Sequence, residues 1–598
     1  MYELFKSLDG RHPWRDASPH GYVDYHVRAR DGGRVVYFNH DLSRELGLVP
    51  SNHADRMTAG LERAVLDAFS LQIINEYDLT RGKPFPPETI RPHPYMATRY
   101  LQLQHKDKRG LTSGDGRAVW NGVIKTDKLT FDVSSRGTGA TRLSPGAAVA
   151  GKPVKTGDGS YGYSCGRADL DEMLGTALMS EIFYRNGFPT ERTLTVIDYG
   201  DGTAVGVRTA PNLLRPAHLF RYLKQGRHAE LKASMDYFID RQVANGFWKI
   251  PSDERGRYNK SLRHIARSYA KLAAVLEEEY IFNWLCWDGD NMLASGAILD
   301  YGSIRQFAAK HDKYRYDDVE RLSSCLTEQR FWARELVKAF AQAMRFIRTG
   351  RKLRLERFKN ARALAEFDRA FERERDRRML WRLGFTPAHT EKLLKTARTE
   401  ISDLRRAMTF FEDAKVARGV EKLSDGITHK PVFLIRNVLR QLPEFYVKGC
   451  RCEFGALMAP EVFCKIMAAS YASRRDTRMT PARAAKARHF QKCYQRLLAA
   501  AGPYDQVLRT VQRRSAVINH PHRMTGNAIV WIVEELIKLK SSVSGDDLQA
   551  AMTTFIESQV LVPGRWKPIP AGELEGDSER AKLLRAIQRA LEECKETV

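Results

Sequence analysis

Cysteine is sparse in this chain, eight in 598 residues, and only Cys450 and Cys452 lie close together. That spacing fits neither a zinc ribbon nor a disulfide framework, so reduced, intracellular thiols are expected. Long hydrophobic runs are missing too: no stretch of about eighteen apolar residues occurs, and a membrane span is not expected. The opening Met1–Asp9 lacks a basic stretch followed by an apolar core and a small-residue cleavage site. It does not read as a secretory signal, and a cytoplasmic location is expected. Zinc-finger, RNP and KH patterns are absent, as is any fixed-period solenoid repeat.

What the chain does have is positive charge, a formal +25, together with 43% hydrophobic residues, enough for a substantial core. Much of the charge is mixed-sign helix surface, as in Arg351–Arg382, where Glu and Arg alternate at three- and four-residue spacing. With no recognition motif beside it, this basic balance does not make nucleic acid the expected partner. It suits an anionic nucleotide or an acidic protein substrate equally well. Nothing in the pattern indicates an oligomeric state.

Three parts are legible. Residues 1–95 form a mixed leader, with strand-like alternation over Tyr22–Asn39, helical spacing over Asp55–Tyr77 and a Pro-rich close at Lys83–Pro94. Residues 96–310 are α/β. Short runs at Ala118–Ile124, Leu129–Val133, Leu194–Ile197 and Ala204–Arg208 predict strands, and Ala168–Gly187 predicts a helix capped by Gly187. Between them Gly137–Tyr163, rich in Gly, Ser, Pro and Lys, reads as a flexible insertion. Residues 311–598 are mostly helical, with amphipathic runs such as Phe331–Arg348, Thr390–Phe411, Arg483–Ala501 and Asn527–Leu539.

The chemistry concentrates in Trp287–Phe307, where Asp290-Asn291 is followed ten residues later by Asp300 in Leu-Asp-Tyr-Gly. Ala297–Leu299 predicts a short buried strand and Tyr301-Gly302 the turn that ends it. Such a hairpin sets two carboxylates and an amide at the mouth of a cleft. Kinase-fold enzymes use this set: an acid near the attacking hydroxyl, and an Asn and an Asp holding the metal of metal–ATP. Upstream, Gly114-Asp115-Gly116-Arg117 can bring backbone N–H groups and a guanidinium to phosphate. Arg136 ends a strand ahead of two spaced glycines, where a kinase-like fold carries a phosphate-binding Lys; its planar fork keeps the charge but not the geometry. Arg208 and Arg215, seven apart, can reach one polyphosphate. Glu181, on the predicted helix, is a candidate partner for such a cation but is weighed mainly as structural.

Taken in order, these pieces resemble the selenoprotein O family of kinase-fold protein adenylyltransferases. The matching runs are G-D-G-R-A at 114–118, R-G-T-G-A-T at 136–141, G-R-A at 166–168, S-E at 180–181 and G-F-P-T-E-R-T-L at 187–194. The Arg208/Arg215 pair, D-N-M at 290–292 and D-Y-G at 300–302 complete the set. The resemblance implies an α/β (α+β) bilobal protein-kinase-like domain followed by a mostly α-helical C-terminal region. It implies that ATP binds flipped, so that AMP passes to a Ser, Thr or Tyr hydroxyl of a protein substrate. Carried over by position, Asp290 is the proton acceptor, and Asn291 and Asp300 hold Mg2+ or Mn2+. Gly114, Gly116, Arg117, Arg136, Gly166, Arg208 and Arg215 hold the nucleotide.

The chain departs from the family at several positions. Arg136 stands where the family has Lys, and register places Thr176 where it has Glu. Cys165-Gly166 replaces an Asp-Gly, with Asp158-Gly159 in the insertion as the alternative. Asp288 is an extra carboxylate, a second candidate for base or metal ligand. Cys594 stands alone near the end, without the family's redox cysteine arrangement. Ordinary phosphoryl transfer, to a protein or a small molecule, and a non-catalytic nucleotide-binding pseudokinase are the alternative readings.

Overall fold

Runs rich in β-branched and aromatic residues build one antiparallel sheet, the center of the first third of the molecule. The computed structural model describes residues 2–82, 84–102, 105–283, 289–310, 325–419, 421–423, 426–449 and 454–597. Asp288, Cys450 and Cys452 lie outside the described residues. The strands are β1 (Tyr22–Tyr25), β2 (Arg34–Phe38), β3 (Tyr95–Thr98), β4 (Ala118–Lys125), β5 (Thr130–Arg136), β6 (Arg192–Asp198) and β7 (Thr203–Ala210). Their spatial order is β1-β3-β4-β5-β7-β6-β2, with Ala168–Asp169 added against β7.

Both faces of this sheet are covered, which is why β6 is buried along its whole length. Val205 and Val207 of β7 pack with Phe38, Leu61, Val65 and Phe69 on one face. Ala204 and Ala210 join the cluster built around Met173, Leu174 and Ala177 of α1 (Leu170–Arg185) on the other. The helix lies close: a Cβ on Gly206 would meet Met173 Sδ at 2.3 Å. Past the sheet the principal helices include α2 (Pro216–Gln225), α3 (Glu254–Glu278), α4 (Arg398–Glu412), α5 (Pro481–Ala501) and α6 (Ala528–Leu539). Ile529, Ile532 and Val533 of α6 belong to the same core as α1, whereas α4 and α5 share a second cluster with Leu404, Phe411, Phe490 and Leu497. The edge strand β2 is closed by the helix Gly545–Ser558, where Gln549 Oε1 accepts from Phe38 N–H at 3.0 Å. The chain is therefore a mixed α/β part followed by a mostly helical part.

Several expected elements differ in detail. The insertion read as flexible contains a helix, Pro145–Ala150, and a 3-10 segment, Gly159–Cys165. Ser144 caps that helix with Pro145 at its first position, local signals that composition conceals. Asn75 Nδ2–H then ties the segment down through Ala140 O and Val154 O, both at 2.9 Å. The helical run Thr390–Phe411 is broken at Ala397, whose φ of −131° leaves the helical region. Among the described residues beyond 310, one small hairpin, Glu421–Leu423 with Gly426–Thr428, interrupts the helices.

An ionic knot closes α3. Glu278 pairs with Arg405 at 2.5 Å and Arg382 at 3.1 Å, and Glu279 with Arg378 at 2.6 Å and Arg436 at 2.7 Å. Glu277 has a weaker contact, Arg375 at 3.9 Å. Burial, and then the charge of Glu278, push its carboxyl up from 4.5 to about 7. The fold thus keeps a proton there that the unfolded chain has lost, so this contribution to stability falls as pH rises between those values. The effect is up to about 3 kcal/mol. Glu277→Gln should flatten that stretch of a melting-temperature-against-pH curve. An unchanged slope would mean that Glu277 ionises normally.

Candidate active site

Strand register brings two of the predicted arginines to one face. Arg136 pairs with Gly206 and Ser134 with Arg208 across β5 and β7. Opposed residues share a face and side chains alternate along each strand, so Arg136 and Arg208 emerge together, toward α1. Both are at least nine-tenths buried, at 5% and 4% exposure.

Arg117, at the entry to β4, forms a two-pronged bond to Glu172 on α1, at 2.9 and 2.6 Å. Arg136 Nη1 stands 3.9 Å from the same carboxylate and 3.6 Å from Asp300 Oδ1, while its Nη2–H donates to Thr176 Oγ1 at 3.4 Å. Thr176 is therefore the register neighbor that the motif order indicates, and the acid is supplied one turn earlier. Glu181 faces elsewhere: it accepts from Arg185, Arg192 and Asn39, a structural network.

The loop carrying Asp290, Asn291 and Asp300 is held by bridges of Ile298 to both Met292 and Thr190. Ala297–Leu299 is buried as predicted, though it pairs only through isolated bridges at Ile298 and is not a full strand, and Tyr301–Ser303 is a 3-10 turn. Asp300 adopts φ +68°, a left-handed conformation uncommon for a residue other than glycine. Its N–H donates to Glu191 Oε1 at 2.9 Å, and the other oxygen of that fully buried carboxylate is 3.6 Å from Arg208 Nη1. Burial alone would push the pKa of Asp300 up, but Arg136, Arg117, Arg208 and Arg215 together hold its carboxyl below the usual range. Burial pushes Arg208 down to about 10, against the pull of Glu191.

Arg215 begins α2. Its Nη1–H donates to the backbone oxygen of Asp290 at 2.5 Å, its Nη2 lies 3.8 Å from Asp115, and its guanidinium covers the Tyr100 ring. Asp115 is locked by Thr98 N–H at 2.9 Å, Thr98 Oγ1–H at 2.6 Å and Trp120 Nε1–H at 3.1 Å. Gly114 permits this: a Cβ there would meet Thr98 O at 2.0 Å. Gly116 O accepts from Thr141 N–H at 3.0 Å. Gly166, at φ +86°, backs onto the Gly139-Ala140 peptide, with no room for a Cβ. Arg117 Nη1–H also reaches the carbonyl of Arg167, at 3.3 Å.

The site thus gathers Arg117, Arg136, Arg208, Arg215, Asp290 and Asp300, with half-buried Asn291 next along the loop. Some buried guanidinium donors make no hydrogen bond, namely Nε and Nη1 of Arg136 and Nε of Arg208. Such donors favor an anion with several oxygens. Asp300, whose side chain is 32% exposed, and the amide of Asn291 offer hard oxygen donors of the kind that suit Mg2+ or Mn2+. Two carboxylates of this cluster, Glu172 and Glu191, escaped the sequence reading. Glu172 lies four residues before Thr176, hence on the same helix face, and that spacing could have found it. Glu191 lies inside the run 187–194 but gains its role only through the distant Asp300 loop.

The family model described as protein adenylyltransferase SelO matches residues 30–552. Proteins named protein nucleotidyltransferase YdiU are similar over shorter stretches. That of Halalkalibacterium halodurans is 29% identical over 198 residues, covering 32% of this chain and 36% of its own. That of Lachnoclostridium phytofermentans is 31% identical over 217 residues, 35% and 40% of the two chains. That of Burkholderia thailandensis is 26% identical over 291 residues, 46% and 47%. The chain spans less than half the length of these curated relatives.

Proposed function

This chain belongs to the protein adenylyltransferase SelO family, and from that membership we propose that it transfers AMP from ATP to Ser, Thr or Tyr hydroxyls of proteins. The observation that carries the reading is the convergence of Arg208 and Arg215 with Arg136 around Asp300, three buried cations beside one ionised carboxylate. Guanidinium groups in that number suit a polyphosphate, whose oxygens each fork can bind in pairs; that the α-phosphate is the one presented rests on the family membership.

In this reading the acceptor hydroxyl attacks the α-phosphorus, its proton passes to Asp290, and the bond to pyrophosphate breaks. Arg208 and Arg215 hold the phosphoryl oxygens as charge builds on them. Arg136, steadied by Glu172 and Thr176, and Arg117 bind the remaining phosphates, with Gly114, Gly116 and Gly166 allowing close backbone approach. Asn291 and Asp300 would hold Mg2+ or Mn2+, which when bound neutralises phosphate charge. The fold is proposed as a bilobal kinase-like core over residues 96–310, joined by the leader 1–95 and completed by the helical 311–598. Phosphoryl transfer remains the second reading, because Arg136 does stand within ion-pair distance of a helix carboxylate, as the usual kinase Lys does.

The test is incubation with Mg2+ or Mn2+ and ATP labelled at either the α- or the γ-phosphate. Label on protein from the α-phosphate alone, lost in Asp300→Ala, is the expected result. Label from the γ-phosphate would make the enzyme a kinase.

A further inference from the structure

The second helical cluster holds a group of side chains that nucleotide transfer does not use. His489 and Cys493 are four residues apart on α5 and so share one face. Cys493 Sγ lies 3.6 Å from His489 Nε2. Asp403 of α4 faces them, and one ligand atom from each of the three lies within 4.8 Å of the others.

We propose that Asp403, His489 and Cys493 form a second metal site, for a zinc-class divalent cation, that clamps α4 to α5. Around a tetrahedral zinc with bonds of about 2.3 Å to sulfur and 2.0 Å to nitrogen, those two atoms stand about 3.5 Å apart. The Cys–His pair already has that separation. The carboxylate needs to close by at most about 1.5 Å to reach tetrahedral separations, within reach of a side-chain rotation. Asp403 now accepts from Arg406, whose side chain is 72% exposed. A surface pair of that kind is weak and easily given up. Charge also balances. Binding releases the thiol proton, and thiolate plus carboxylate neutralise a divalent ion. Water fills the fourth position. The buried Cys493 thiol is held above its ordinary range by burial and then by the charge of Asp403, a repulsion that the cation replaces by attraction. The mixed sulfur, nitrogen and oxygen set selects zinc or cobalt over the magnesium or manganese suited to Asp300.

The full chain, stripped of metal and kept in excess Mg2+, would be titrated with Co2+ while thiolate-to-cobalt charge-transfer absorption is recorded. One equivalent should develop the band and Zn2+ should abolish it. Cys493→Ser should remove it. His489→Ala should weaken cobalt binding at least tenfold, since loss of even an outer partner costs about that much, with unchanged circular dichroism. No charge-transfer band in the parent protein, or a full band in Cys493→Ser, would overturn the proposal.

Discussion

Asp290→Asn should lower AMP transfer by about a thousandfold while leaving ATP affinity within about twofold, the effect of losing a positioned general base. Asp290 is 8% exposed, and its backbone oxygen is fixed by Arg215. Asparagine keeps the shape and that backbone contact but cannot take a proton. Single-turnover transfer from α-labelled ATP, set beside calorimetric binding, separates the two quantities. Transfer within tenfold of the parent rate would move the base to another carboxylate, with Asp288 the first to replace. Loss of binding as well would instead give Asp290 a share in holding the nucleotide.

Glu191→Ala should destabilise the protein by about 3–5 kcal/mol, the range for leaving one member of a buried ion pair without its partner. Glu191 is fully buried, and it spans the Asp300 N–H and Arg208. Removing it strands a guanidinium at 4% exposure and frees the backbone of a residue held at φ +68°. Glu191→Gln keeps a hydrogen-bond acceptor for Asp300 and should recover part of the loss. Chemical denaturation of the three proteins checks the order. Equal stability of the alanine variant and the parent would show that Arg208 finds other compensation. Nucleotide affinity gives a second readout, because a merely structural carboxylate would leave it unchanged at temperatures well below unfolding.

Local patterns carried much of this architecture. The apolar spacing and glycine cap at 168–187 predicted α1, which runs Leu170–Arg185 with Gly187 at φ +82°. β-branched runs likewise located β4 to β7 to within a few residues. What stayed hidden depends on contacts between distant parts of the chain. The bond between Arg117 and Glu172 joins residues 55 apart, and that between Asp300 and Glu191 joins residues 109 apart. Motif order pointed to Thr176 opposite Arg136, yet the several donors of the planar guanidinium let it bond Thr176 while also standing 3.9 Å from the Glu172 carboxylate a turn away. The break at Ala397 and the ordered insertion show the same limit on a smaller scale: periodicity reports faces, whereas caps and tertiary anchors decide where an element stops.

The seal on β2 also bears on how the protein is made. The Phe38 N–H waits for Gln549, Asp198 for Lys540, and the Asn186 amide for the carbonyl of Gln559. A ribosome therefore finishes the whole sheet, β1 to β7 with Ala168–Asp169, while the segment that covers its outer border is still hundreds of codons from translation. At about 5–20 residues per second that gap lasts roughly 20–70 s. During it the nascent chain presents an open strand edge, the kind of surface that invites pairing with a neighbor. A transcript cut short before codon 549 would leave that edge bare for the life of the product, and a holdase would recognise it there.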